Sequence, residues 1–103
     1  MKEPQKDGAK DAFALIERRW LLRIVACLIA GPRRFADLRA AMPIVSAKIL
    51  TQRLEEMIEA GLVVRDRLSA QTKVQVYALT DKGASLEPAI AALNAWGSTF
   101  QSD

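Results

Sequence analysis

At Gly61 the apolar pattern of this 103-residue chain changes period. Before it, apolar side chains recur every three or four residues, the spacing of helices packed on one face. After it, Leu62, Val63 and Val64 lead into Arg65, Asp66, Arg67 and Leu68 with the β-branched character of a strand. Ser69 to Lys73 is polar turn material, and Val74, Val76, Tyr77 and Leu79 form a returning strand. The two runs make one β-hairpin, basic at its tip through Lys73. The expected fold is mainly α, with a single small hairpin.

The helices are punctuated clearly. Asp11 is placed to cap a first helix carrying Phe13, Ile16 and Trp20. Trp20 to Ala30 follows, apolar around most of its circumference and stopped by Gly31-Pro32, as a buried central helix is. A short helix over Arg34 to Met42 presents Phe35, Leu38 and either Ala41 or Met42 inward before Pro43 ends it. Ser46 then caps a long amphipathic helix running to about Ala60, closed by Gly61. Leu50, Leu54 and Met57 share its packing face, with Ser46 and Ala47 at the start, and Lys48, Gln52, Glu55 and Glu59 lie opposite. Thr80 caps a last helix whose Leu86, Ile90, Leu93, Trp96 or Gly97, and Phe100 form a stripe longer than a small core requires. Pro88 either kinks this helix or starts a second segment. Residues 1–10 read as a flexible polar segment and residues 11–103 as one domain.

Composition narrows function mainly by exclusion. The chain has no histidine and one cysteine, Cys27, which removes an intrachain disulfide framework, the usual zinc sites, and Ser-His-Asp or Cys-His catalysis. An enzyme is not expected, nor any metal or cofactor. Cys27, on the side of its helix shared with Trp20 and Ile24, reads as a small packing residue. No apolar run approaches the roughly 20 residues that span a bilayer, and Met1 to Lys10 lacks the apolar core of an export signal, so a cytoplasmic product is expected. Net charge is +3, but residues 18–73 carry eleven Lys or Arg against five Asp or Glu, and the flanks are mildly acidic. That asymmetry suits a polyanion, or equally an ordinary solvated surface.

The element order decides between these. Helix, buried helix, short helix, tight turn, long amphipathic helix, hairpin and final helix is the order of a winged helix-turn-helix, whose long helix fits a DNA major groove. The recognition helix is then about residues 46–60 and the wing about 63–79. Along the outer face of that helix Ser46, Lys48, Ile49, Thr51, Gln52 and Arg53 precede Glu55, Glu56 and Glu59. Phosphates repel the acidic end, so the first half is the end that inserts. Ser46 and the free amides suit a phosphate oxygen, Lys48 and Arg53 backbone or base, and Gln52 the paired edge of adenine. Arg33 and Arg34 flank the groove, and Arg65, Arg67 and Lys73 belong to the wing.

The chain resembles the HxlR-type family of bacterial winged helix-turn-helix regulators, a relative of the MarR type, over about residues 14–97. The segments WLLRIVACLIAGPRRF, ADLRAAMP, IVSAKILTQRLEEMIEAGLVVR and VYALTDKGASLEPAIAALNAWG keep that family's residues in order. The resemblance implies a transcription regulator that binds a palindromic operator in double-stranded DNA as a homodimer. Its first and last helices would form the interface, here through Phe13, Ile16, Trp20, Leu86, Ile90, Leu93, Trp96 and Phe100. Two departures stand out. Many members carry a sensing cysteine upstream of the first tryptophan, and residues 5–19 hold none; the wing has SAQTKV where a proline is frequent. Phe13, Trp20, Trp96 and Phe100 suit a packed interface or a pocket for a small-molecule effector. The competing reading is a winged helix used only for protein interaction or structural dimerisation.

Overall fold

A computed structural model describes residues 8–100, with side chains described from residue 12 onward. Six helices and one two-stranded sheet follow in the order α1 (Gly8–Ile16), α2 (Leu21–Ile29), α3 (Phe35–Ala41), α4 (Ala47–Glu59), β1 (Val63–Arg67), β2 (Gln75–Leu79), α5 (Asp81–Ala84) and α6 (Glu87–Thr99). The core lies where α2, α3, α4 and the base of the hairpin meet. Leu21, Ile24, Val25 and Leu28 of α2 pack with Leu38, Met42, Val45, Leu50, Leu54, Met57, Leu62 and Val63. Each buried aliphatic side chain here contributes about 1.5–3 kcal/mol relative to exposure. Met42, not Ala41, completes the inner stripe of α3, because Ala41 points to solvent.

The long helix is fixed at both ends. Ser46 Oγ accepts the Ile49 amide at 3.1 Å, as its capping position predicts. At the other end Gly61, at φ +79°, takes the left-handed conformation, letting its own amide reach the Ile58 carbonyl and the Leu62 amide the Met57 carbonyl. The carbonyls beyond are taken by α5: Lys82 Nζ donates to Ala60 at 2.9 Å, Thr80 Oγ1 to Gly61 at 2.5 Å and the Thr80 amide to Leu62 at 3.0 Å. Helix α4 therefore has no loose end.

Strands β1 and β2 pair antiparallel from Val63 opposite Leu79 to Arg67 opposite Gln75, close to the expected hairpin. An isolated one-residue β-bridge beside this sheet was not expected. Arg33 exchanges both backbone hydrogen bonds with Tyr77, at 3.0 and 2.7 Å, so the segment between α2 and α3 edges the wing. Pro32 and the single-residue length leave no periodicity to read.

Two expectations about helix limits are corrected, and one left open is settled. Helix α1 begins at Gly8, so Asp11 lies inside it and is not its cap; residues 1–7 of the segment expected to be flexible fall outside the described residues. Trp20 belongs to neither flanking helix. It sits between them at φ +77°, a left-handed conformation uncommon for any side-chain-bearing residue, and ends the run that 3.6-residue spacing suggested. The last helix is two segments. Helix α5 stops at Ala84, and α6 starts at Glu87 with Pro88 in its first turn, where a missing amide costs nothing.

Asp37 illustrates a local contribution with a pH signature. Its carboxylate accepts the Arg34 amide at 3.1 Å at the start of α3, with the Arg34 guanidinium at 3.5 Å. The backbone hydrogen bond first, and the Arg34 charge second, lower its pKa below the ordinary 3.8. A lowered acid stabilises the fold above its unfolded value and loses that contribution as pH falls through its folded value. Asp37→Asn should therefore shrink the drop in urea-unfolding stability between about pH 5 and about pH 3. An unchanged drop would remove Asp37 from the acid response.

Candidate nucleic-acid interface

The exposed side chains of α4 are ordered along its axis. Ser46, Lys48, Thr51 and Gln52 are exposed along its first turns, and Glu55 and Glu59 are exposed further on. The polarity read from the sequence is thus present on the surface. Ser46 uses its hydroxyl oxygen as an acceptor for the Ile49 amide, leaving the hydroxyl proton available. Ile49 is half-buried and packs against the core, so it fixes the first turn of α4 more than it faces outward.

The wing adds a second basic surface. On β1, Arg65 and Arg67 stand on one face of the ribbon, opposite Tyr77 and Gln75 of β2. With Ser69, Ala70, Asp66 and Gln75 these arginines line a concavity of about 520 Å³. Arg65 also lies 3.8 Å from Glu55, linking the wing to α4. Lys73 is exposed in the turn that follows. Among the described residues, Lys48, Arg67 and Lys73 have no carboxylate within 4.0 Å. Their charge is free for an anion.

Arg33 and Arg34 directly precede α3, with different local partners. Arg33 lays Nε 3.4 Å from the Cys27 carbonyl at the end of α2. Arg34 pairs with Asp37 but stays more than half exposed. Both pairs are open to solvent, where such contacts hold a side chain weakly.

Arg53 is placed differently from the sequence expectation. Only 19% of its side chain is exposed. Nε donates to the Arg19 carbonyl at 2.8 Å and Nη1 to Glu56 Oε1 at 3.1 Å. Counting outward positions on a wheel put Arg53 beside Gln52; the turn before α2, which comes within its reach, carried no sequence signal.

A second feature of the surface is apolar. No residue of α6 is buried within the chain. Leu93, Trp96 and Phe100 are 51%, 65% and 70% exposed, and Phe13 of α1 is 62% exposed. Trp96 and Phe100 stack edge to face with ring centroids 5.3 Å apart. Leu22, Ala26, Ile90 and Leu93 line a shallow groove of about 310 Å³ between α2 and α6. Trp20, Leu86 and Ile90 pack partly onto the chain's own core, and Ile16 is half-buried. Large aromatic side chains exposed together are unusual on a protein that stays monomeric.

An exposed, polar-to-acidic helix set behind a short brace and beside a basic hairpin defines the winged helix-turn-helix class of DNA-binding proteins. The chain belongs to the HxlR-like helix-turn-helix family, which it matches over residues 15–103. It is 36% identical over 90 residues to YvaP, an uncharacterized HTH-type transcriptional regulator of Bacillus subtilis, spanning 86% of this chain and 82% of that protein. To YodB, an HTH-type transcriptional regulator of the same organism, it is 33% identical over 91 residues, spanning 88% and 81%. The structure of reduced YodB superimposes with a TM-score of 0.81 at 31% identity, covering 94% of this chain and 95% of that one. The protein is accordingly a DNA-binding transcriptional regulator and not an enzyme. Among the described residues no helix is long and apolar enough to cross a membrane.

Proposed function

We propose that this regulator binds a palindromic operator as a homodimer, each copy inserting the first half of α4 into one of two successive major grooves roughly 34 Å apart. The ordered polarity of the outer face of α4 carries the reading: exposed Ser46, Lys48, Thr51 and Gln52 come ahead of exposed Glu55 and Glu59. Ser46 and the first amides of α4 hold a phosphate, and Lys48 contacts backbone or a guanine edge. Gln52 reads adenine through its paired donor and acceptor, with Thr51 and Ile49 beside it. Arg33 and Arg34 touch the flanking backbone, and Arg65, Arg67 and Lys73 carry the wing along it.

The second copy packs on α1 and α6. This assignment is supported by Phe13, Leu93, Trp96 and Phe100, which lie exposed among the described residues, and by the family resemblance. YodB has also been solved in a quinone-bound form. Here Cys27 is the only cysteine and is half-buried in α2, and residues 5–19 hold none, so no thiol-based sensing is proposed.

Selection of bound sites from random duplexes, followed by titration at several salt concentrations, tests the reading. Expected are an inverted repeat, a stoichiometry of two chains per site and affinity that falls steeply with salt. Binding that ignores both sequence and salt would leave only the interaction-module reading. Within the selected site, Gln52→Ala is expected to cost about 1–3 kcal/mol and to relax preference at one base pair. Unchanged selectivity would take base reading away from Gln52.

A further inference from the structure

We infer that Arg53 and Glu56 are positioning residues, which hold the recognition helix to the turn between α1 and α2, and that Arg53 does not contact DNA. The inference rests on the DNA-binding reading of α4 and concerns how that helix is aimed.

The contacts come from both sides of a short gap. Arg53 donates from Nε to the Arg19 carbonyl at 2.8 Å, across 34 residues of sequence. Its Nη1 meets Glu56 Oε1 at 3.1 Å, one turn further along α4. Arg18 Nη1 reaches the same carboxylate oxygen at 3.1 Å from the turn. Glu56 thus bridges two arginines, one from each element, while Arg53 also grips the turn's backbone. The fork of a guanidinium suits this double duty, and the point charge of a lysine does not.

The turn needs holding. Trp20 occupies the left-handed region at φ +77°, which is unfavourable for a side-chain-bearing residue and persists only where neighbours enforce it. The carbonyl that Arg53 engages belongs to Arg19, the residue just before. Arg19 in turn lays its guanidinium 4.9 Å from the centre of the Trp20 ring. Side chains of 19% and 27% exposure make this network partly shielded, where charged hydrogen bonds are stronger than at an open surface. The two contacts of Arg53 tie its guanidinium to the turn and to Glu56 and leave little of the side chain on the outer surface. The same network ties α4 to the turn that directly follows α1, on which the second copy is proposed to pack.

The sign of one substitution separates this role from simple electrostatics. Glu56→Ala removes a negative charge from the recognition helix and keeps a good helix former. If Glu56 acts only through its charge, DNA affinity rises; if it positions, affinity falls, here by about tenfold on the selected site. Arg53→Lys keeps the charge. A phosphate contact predicts near-normal binding, whereas positioning predicts a loss of similar size with the salt slope unchanged.

Hydrogen exchange of the DNA-free protein supplies a second arm. Both variants are expected to speed exchange several-fold at the amides of Arg18 and Leu21, which bond to the Leu15 and Arg18 carbonyls within the turn. Tighter DNA binding by Glu56→Ala, near-normal binding by Arg53→Lys, or unchanged exchange in the turn each overturns the inference. Absence of salt-dependent DNA binding by the unsubstituted protein would instead remove the operator-binding reading, and the exchange arm would still decide whether the clamp exists.

Discussion

Gly83→Ala is expected to lower unfolding free energy by about 3 kcal/mol, near the upper end for overpacking a core, and to reduce Tm by roughly 12 to 24 °C. Gly83 is buried in α5, and a Cβ there would stand well inside contact distance of the Leu62 carbonyl oxygen and 3.0 Å from Leu79 Cδ2. The first of these is backbone, so no side-chain rotation relieves the clash. Nor can Leu62 move alone, because its carbonyl accepts the Thr80 amide and its amide closes the end of α4 on Met57. Moving α5 away would break the Thr80 cap on the Gly83 amide and the Lys82 contact to Ala60. Every available relaxation therefore loosens the carboxy-terminal end of α4. Urea and thermal unfolding by circular dichroism measure the effect. A loss under about 1 kcal/mol, less than one overpacked methyl usually costs, would mean that the α4 to α5 junction is soft.

That junction shows where sequence is informative and where it stops. Ser46, Gly61 and Thr80 were legible as punctuation because each acts on its nearest neighbours: a hydroxyl on an amide three residues on, or a glycine at positive φ. The buried faces of α2 and α4 were legible for the same reason, since Ile24, Leu28, Leu50, Leu54 and Met57 repeat at the period of their own helix. The order of elements then gave the fold class. What spacing did not show was contact between distant segments. Trp20 fits the apolar period on both sides, yet it breaks the helix, because backbone conformation at one residue leaves no periodic trace. Arg33 looked like a surface charge before α3, and its backbone also edges the sheet beside Tyr77. Arg53 sits one residue after Gln52, and a wheel gives it an outward position. Its partner at Arg19 is 34 residues away and is a carbonyl, which every residue has. Pro88 was ambiguous because a proline suits the first turn of a new helix as well as a kink; the break at Ser85 and Leu86 settles it as the former.

Trp96→Glu is expected to weaken self-association by about 3 kcal/mol, or more than a hundredfold in dissociation constant, within the range of aromatic hot spots. Trp96 is 65% exposed in the single chain and touches Phe100 edge to face, so little of the chain's own core depends on it. The cost falls on the interface: covering this ring removes a large apolar area from water, whereas a carboxylate in its place would have to be buried unpaired. Folding of the monomer should therefore survive, with only the part of Tm that depends on protein concentration lost. Operator binding should fall further than any one contact explains, because a monomer holds a single half-site and forfeits the gain from linking two reading helices. Sedimentation equilibrium and titration on full and half sites separate these effects. Equal affinities of Trp96→Glu and the unsubstituted protein for a half site, together with unequal affinities for the full site, are the expected result. A dimer that persists unchanged would move the interface off α6, and the exposed Leu93, Trp96 and Phe100 would then belong to a different partner.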